Sequence, residues 1–166
     1  MVDQFSTPGA NGASLVEPPQ SIAQARVDDK GRLKLPAEYL AYLKELKVDK
    51  VFITTLDRQL VQIYPMAVWK ANLELLNGAG DDAEAAGDLL YAAKHYGGIS
   101  EVDGQGRVLI PALLRDLLEL ESQPVFLDVH RQHINVATRA AHEERLNRAL
   151  VGLVEKKKRF ETRGLQ

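Results

Sequence analysis

Two short stretches of the chain, within residues 22–47 and 99–121, carry side chains that could bind nucleic acid. Lysine and arginine contact phosphate oxygens, and arginine can also donate two hydrogen bonds to a guanine edge in the major groove. Four basic residues alternate through the first stretch, so they could line one face of a β-ribbon that reads a groove. The predicted DNA-binding residues are Arg26, Lys30, Arg32, Lys34, Gln105 and Arg107.

The local charge differs between the two stretches. Residues 22–47 hold six basic and four acidic side chains, a net charge of +2, whereas residues 99–121 hold two basic and five acidic ones, a net charge of −3. Because phosphate contacts need Lys or Arg, the first stretch is the better candidate to face DNA. The whole chain has a net charge of −2, so DNA binding would depend on local patches or on repetition in an oligomer.

Both arginines of these stretches also admit a structural role. Arg32 could pair with Asp28, and Arg107 with Asp103, across a turn. Such a pair would fix the loop without excluding DNA contact, because the arginine keeps further donors. The lysines of the first stretch could be solvated surface residues.

The two stretches belong to an internal repeat. Residues 27–43 and 102–118 align at an offset of 75 with seven identities in 17 positions, where chance would give about one. The parallel continues through 51–55 and 125–129, so each half has the same order of elements. The identical residues of the first copy are Val27, Asp28, Gly31, Arg32, Pro36, Ala37 and Leu43.

Each repeat predicts a strand, a loop, a short strand and a helix. Gly31 and Gly106 fall where a tight turn needs a positive φ, and Pro36 and Pro111 open the helices. We interpret these four residues, with Asp28 and Asp103, as structural. The apolar stripes of the two helices are predicted at Leu40, Leu43 and Leu46 and at Leu113, Leu114, Leu117 and Leu118.

A β-hairpin and a closing helix complete each repeat. The hairpins are predicted over 50–64 and 124–137, and the closing helices over about 66–77 and 138–160. Trp69 and Tyr64 are expected to fill the interface between hairpin and helix.

The sequence therefore predicts five segments. A disordered N-terminal extension spans 1–21, because it is rich in Pro, Gly, Ser and Asn. The first unit with its helix spans 22–76, a linker with a short helix 77–98, the second unit with its helix 99–160, and a flexible tail 161–166.

The composition excludes several classes of function. The chain has no cysteine, so disulfides, cysteine-ligated zinc and thiol catalysis are absent. His130 and His133 lack a third ligand pattern, so we expect no metal and no cofactor. No catalytic motif occurs at recognisable spacing, so we expect that the protein is not an enzyme. The sequence shows no signal peptide or membrane span, so we expect a cytoplasmic, nucleoid-associated protein without a membrane partner.

Two units with a D-x-x-x-R motif, each followed by a proline-started helix, resemble the MraZ family. The motifs are Asp28-Asp29-Lys30-Gly31-Arg32 and Asp103-Gly104-Gln105-Gly106-Arg107, and the resemblance covers about residues 22–150. It implies an α+β fold in which two tandem β-α-β-β units form an AbrB-like pseudo-dimeric swapped-hairpin barrel, each unit followed by a helix.

The resemblance also implies a function. Members of this family regulate transcription of the division and cell-wall gene cluster, form ring-shaped oligomers and bind tandem repeats in promoter DNA. The partners expected for this chain are therefore double-stranded promoter DNA and further copies of itself, with the motif arginines in contact with DNA.

A protein-interaction module is the main alternative. The AbrB-like barrel also serves in antitoxins, which bind a partner protein as well as DNA, and the acidic second unit could face such a partner.

Overall fold

The computed structural model describes residues 16–166 of the chain. The described residues combine β-strands with α-helices and one turn of 3-10 helix, as expected for an α+β fold. In chain order the elements are β1 (Ala23–Arg26), β2 (Arg32–Lys34), α1 (Ala37–Glu45), β3 (Lys50–Thr54), β4 (Leu60–Pro65), α2 (Met66–Asn77), the 3-10 turn (Gly80–Asp82), α3 (Ala83–Tyr96), β5 (Gly98–Glu101), β6 (Arg107–Leu109), α4 (Ala112–Leu118), β7 (Pro124–His130), β8 (His133–Thr138), α5 (Arg139–Leu150) and α6 (Leu153–Glu161).

Strands of both halves are interleaved in one sheet. The large sheet has six antiparallel strands in the order β1-β7-β8-β4-β3-β5. Strand β1 of the first half pairs with β7 of the second, and β5 of the second half pairs with β3 of the first. The first strand of each half thus pairs with the hairpin of the other half. The sheet is not closed, and β1 and β5 form its two edges.

A second, two-stranded sheet joins the short strands of the two repeats. Strand β2 pairs antiparallel with β6, with Leu33 opposite Val108. These two side chains are fully buried and belong to one core with Val27, Ile110 and Leu114. Because both halves contribute to this core, neither half of about 60 residues has to bury its apolar surface alone.

The helices after the motif loops begin where the prolines predict. Pro36 immediately precedes α1 and Pro111 immediately precedes α4. The buried side of α1 differs from the predicted stripe, because Tyr39 and Tyr42 are buried beside Leu43. Leu40 and Leu46 remain partly exposed, and in α4 Leu113 is exposed while Leu114 is buried.

An aromatic cluster fixes the first hairpin against its helix. Trp69 of α2 stacks on Phe52 of β3 at 4.4 Å between ring centroids and lies 5.2 Å from Tyr64 of β4. Leu90 and Ala93 of α3 pack on the same cluster. The expected role of Trp69 and Tyr64 at the hairpin-helix interface is confirmed.

Two helical segments differ from the sequence prediction. The helix predicted over 138–160 is two helices, because the chain turns at Val151 and Gly152, where Gly152 has a φ of +62°. The short helix expected near 88–96 starts earlier, at Ala83, and follows the 3-10 turn directly. The acidic segment 77–88 is therefore largely helical.

The predicted N-terminal extension, 1–21, lies mostly outside the described residues. Its described end reaches the fold, where the Tyr39 hydroxyl donates a hydrogen bond to the Ser21 carbonyl oxygen at 3.0 Å. Among residues 16–166, no helix has the length and apolar character needed to cross a bilayer.

Candidate nucleic-acid interface

The first motif loop is organised around one carboxylate. Asp28 Oδ1 accepts hydrogen bonds from the backbone amides of Lys30 at 3.0 Å and Arg32 at 2.8 Å. Its Oδ2 accepts a bond from Arg32 Nε, also at 2.8 Å. The Arg32 amide and then the guanidinium hold the pKa of Asp28 below its usual value. The motif aspartate thus closes the turn and fixes the arginine that follows.

The second motif loop repeats this arrangement. Asp103 accepts from the amides of Gln105 at 2.8 Å and Arg107 at 2.9 Å, and from Arg107 Nε at 2.8 Å. The hydrogen bond from the Arg107 amide, with the guanidinium beside it, lowers the pKa of Asp103 to about 2. Both arginines therefore have the structural ion pair that the sequence allowed.

Each loop contains a glycine that side chains of the opposite half crowd. Gly31 has a φ of +81°, and a Cβ there would lie 2.4 Å from Cζ of Arg115 in α4. Gly106 has a φ of +74°, and its Cβ would lie 2.7 Å from a methyl group of Leu40 in α1. The positive φ and the close packing both favour glycine.

The small sheet places the two motif loops side by side. The Ile110 amide donates to the Gly31 carbonyl oxygen and the Leu35 amide to that of Gly106, both at 2.9 Å. In addition, Lys34 Nζ donates to the carbonyl oxygen of Gln105. Loops that are 75 residues apart in the sequence thereby form one continuous surface.

The outward face of this small sheet is mainly basic. Successive residues of a strand point to opposite faces, and Leu33 and Val108 occupy the buried one. The outward face carries Arg32, Lys34, Arg107 and Leu109, which we call the ribbon face. Arg32 lies opposite Leu109, and Lys34 lies opposite Arg107.

The ion pairs leave the arginines able to bind a ligand. In each pair the hydrogen bond to the aspartate uses only Nε. The side chains of Arg32 and Arg107 are 32% and 24% exposed. A guanidinium held at Nε can still donate from its two terminal nitrogens to a phosphate or a guanine edge.

Three bacterial proteins named "Transcriptional regulator MraZ" resemble the chain over most of the described fold. The protein of Acidobacterium capsulatum is 32% identical over 121 residues, which cover 73% of this chain and 82% of the relative. This chain belongs to the MraZ family. The MraZ protein of Koribacter versatilis is 35% identical over 102 residues, covering 59% of this chain and 67% of the relative.

The third of these MraZ relatives, from Neisseria meningitidis, is 32% identical over 102 residues that cover 61% of this chain and 68% of the relative. No protein-family model matches the chain. The resemblance to the MraZ family that the doubled D-x-x-x-R motif indicated is therefore confirmed through individual MraZ relatives.

The remaining predicted residues of this MraZ-family chain lie outside the ribbon face. Lys30 and Gln105 are exposed at the tips of the two motif loops. Arg26 lies on β1 in the large sheet, and its Nη1 donates to the Ser122 carbonyl oxygen at 2.8 Å. The four basic residues of the first stretch therefore do not share a single strand face, because Arg26 lies apart from Arg32 and Lys34.

The repeats differ at the positions that flank the shared arginine. At the offset of 75, Lys30 corresponds to Gln105, Lys34 to Leu109, and Arg26 to Glu101. The two motif loops thus have the same hydrogen-bonding arrangement, while the positive charge is concentrated in the first unit.

Sequence reasoning missed two residues near the ribbon face. Leu109 is 52% exposed there, and its amide donates a hydrogen bond to the Ser100 hydroxyl at 3.0 Å. Arg115 packs against Gly31 of the first loop. Its Nε donates a hydrogen bond to the Ile110 carbonyl oxygen of its own half at 3.0 Å. The offset between repeats could have identified Leu109, because it aligns with a predicted DNA-binding lysine.

Two other candidate sites lie away from the ribbon face. The His133 ring lies tilted against Tyr64, with 4.7 Å between the ring centroids, and burial lowers the pKa of its imidazole. Within residues 16–166, no three His, Asp or Glu side chains are grouped so that they could hold a metal ion. The run Lys156-Lys157-Lys158-Arg159 lies on the exposed helix α6, where Lys157 and Lys158 pair with acidic neighbours.

Proposed function

We propose that this MraZ-family protein is a transcriptional regulator that binds double-stranded promoter DNA in a sequence-specific manner through its ribbon face. The observation that carries the proposal is the grouping of Arg32, Lys34 and Arg107 on the outward face of the small sheet, where Lys34 is exposed and both arginines are partly exposed. A two-stranded antiparallel ribbon fits the major groove, in which arginine recognises guanine and lysine contacts phosphate.

The two motif aspartates support this proposal because they orient the arginines in advance. A side chain that is already held before binding loses less conformational freedom when it contacts DNA. The same arrangement occurs in both loops, so two oriented guanidinium groups face the same side of the molecule.

We expect the first unit to supply most of the DNA affinity. Lys30 and Lys34 flank Arg32, whereas Gln105 and Leu109 flank Arg107. Each phosphate contact by a lysine releases counterions and adds affinity that salt removes. Arg107 then contributes less than Arg32, although both have the same geometry.

We further propose that the strand exchange between halves is the AbrB-like swapped-hairpin arrangement, and that the protein acts as a ring-shaped homo-oligomer. A single ribbon face offers few cations, so several copies bound to tandem promoter repeats would reach useful affinity through avidity. The target implied by the family is the division and cell-wall gene cluster, and the protein would act in the cytoplasm at the nucleoid.

The test is the affinity for the promoter upstream of the protein's own gene, measured by gel shift at two salt concentrations. We expect steep salt dependence, and a loss of roughly ten- to hundredfold in affinity for Arg32→Ala, the range of a lost bidentate base contact. Arg107→Ala should lose less. Arg145→Ala, on the exposed side of α5, removes one positive charge elsewhere and serves as the control.

Unchanged promoter affinity in a folded Arg32→Ala protein would contradict the assignment of the site. The competing function is binding of a protein partner, as in antitoxins, and it is favoured by the exposed acidic side chains Glu101, Asp116, Glu119 and Glu121 of the second unit. A stoichiometric protein partner recovered with the full chain, together with no promoter binding, would support that alternative.

A further inference from the structure

One side chain of the ribbon face is apolar. Leu109 lies opposite Arg32 on the exposed side of the small sheet and next to Arg107 on its own strand face. The core beneath the strand is already filled by Leu33, Val108 and Ile110, all at most 1% exposed. Leu109 is 52% exposed and therefore contributes little to that core.

Scattered exposed leucines are common on protein surfaces, but the position of this one is distinctive. The equivalent position of the first unit holds Lys34, so the backbone geometry at this place admits a long polar side chain. In the second unit leucine takes this position, at one end of a face whose other three residues are cations.

The backbone of Leu109 is held by a contact that only the second unit has. Its amide donates to the hydroxyl of Ser100, a residue that is 8% exposed. The equivalent of Ser100 in the first unit is Ala25, which has no hydroxyl. The backbone that carries Leu109 is thus anchored at this position, opposite Arg32 and two residues after Arg107.

We propose that Leu109 is a specificity-determining residue that packs against the C5-methyl group of a thymine in the major groove, beside the base that Arg32 contacts. The thymine methyl is the apolar group that base pairs present in this groove, and apolar side chains recognise it. The inference rests on the proposed DNA binding through the ribbon face.

This contact would make the two units read different bases. The first unit offers Lys34 where the second offers Leu109, so the two halves of a perfectly palindromic site would not be read equally. An asymmetric site, with a thymine in one half and not in the other, should therefore match the ribbon face better than a palindromic site.

The test combines a change in the protein with a change in the DNA. The DNA probes are the footprinted segment of the protein's own promoter and the same duplex made with deoxyuridine in place of thymidine, which lacks the methyl group. Affinities of the full-length protein and of Leu109→Ala are measured on both by fluorescence anisotropy. Leu113→Ala is the matched control, because Leu113 is 47% exposed on α4, outside the ribbon face.

We expect the unaltered protein and Leu113→Ala to bind the deoxyuridine duplex roughly three- to fivefold more weakly, the effect of one buried methyl group. Leu109→Ala should lose a similar factor on the thymidine duplex and show a smaller further loss on deoxyuridine. Leu109→Met should retain most of the discrimination, and the salt dependence should not change, because no phosphate contact is removed.

An equal deoxyuridine penalty in Leu109→Ala and in the unaltered protein would overturn the inference. If Arg32→Ala still showed its expected loss of promoter affinity in that case, the proposed function would stand without the thymine contact. Absence of promoter binding by the unaltered protein would overturn both.

Discussion

The two motif loops have nearly the same backbone and different surfaces. In each loop an aspartate accepts two amide hydrogen bonds and pairs with Nε of the arginine four residues later. The residues that flank the arginines are lysines in the first loop and Gln105 and Leu109 in the second. The repeat thus preserves the residues that build the loop, whereas the side chains that would contact a ligand differ between the two copies.

The hairpins of the two halves show the same contrast in their packing. Phe52 stacks on Trp69 in the first half at 4.4 Å, and Phe126 stacks on His142 in the second half at 4.2 Å. Helix α3 covers the first pair, whereas the chain after α5 continues into the exposed helix α6. The first half therefore has a second small core at a place where the second half remains partly open.

The largest expected effect of this difference between the halves is on the free energy of unfolding. Trp69→Ala should lower the free energy of unfolding by about 3–5 kcal/mol, because it removes a large side chain that is 4% exposed. His142→Ala, at the equivalent but partly exposed position, should cost less than about 1 kcal/mol. Urea unfolding followed by circular dichroism measures both, and equal losses would show that α3 does not distinguish the two halves.

A smaller effect concerns the electrostatic difference between the loops. Lys34→Ala should reduce the slope of log affinity against log salt concentration by about one, the contribution of one phosphate contact. Leu109→Lys, which gives the second unit the residue of the first, should increase that slope by about one. Promoter affinity measured over a series of KCl concentrations gives both slopes, with Lys70→Ala on the exposed side of α2 as the control.

Slopes that do not change in either variant would show that neither position of the ribbon face lies at a phosphate. The difference in charge between Lys34 and Leu109 would then have no role in DNA binding.

The smallest expected effect concerns the pH dependence of stability, to which the aspartate of each motif loop contributes. The pKa of Asp103 is lowered from 3.8 to about 2 in the folded protein, so its contribution to stability is present above pH 4 and is lost as the pH falls toward 2. Asp103→Asn should therefore flatten the decrease in stability over this range, and Asp28→Asn should act in the same direction. The midpoint of urea unfolding between pH 4 and pH 2, followed by the fluorescence of the single tryptophan, measures the effect.

Asp116→Asn is the control for this experiment, because within residues 16–166 its side chain makes no ion pair. The same flattening in Asp116→Asn would contradict a specific role for the loop aspartates.

Much of the local structure follows from short sequence signals. The doubled Asp-x-x-Gly-Arg sequence predicted both turns, and the prolines predicted where α1 and α4 begin, because these residues restrict φ and ψ directly. The break at Gly152 and the early start of α3 were not predicted. Both depend on a competition between helix and turn that the apolar pattern of a largely exposed segment does not decide.

By itself, the sequence determined the existence of two equivalent units, the shape of each motif loop and the excess of basic residues in the first. Only the tertiary structure decided that β1 pairs with β7, that β5 pairs with β3, and that Arg32, Lys34, Arg107 and Leu109 share one face. The physical reason is that a turn depends on neighbouring residues. Pairing between strands 45 to 104 residues apart depends instead on which arrangement buries Leu33, Val108 and the rest of the shared core.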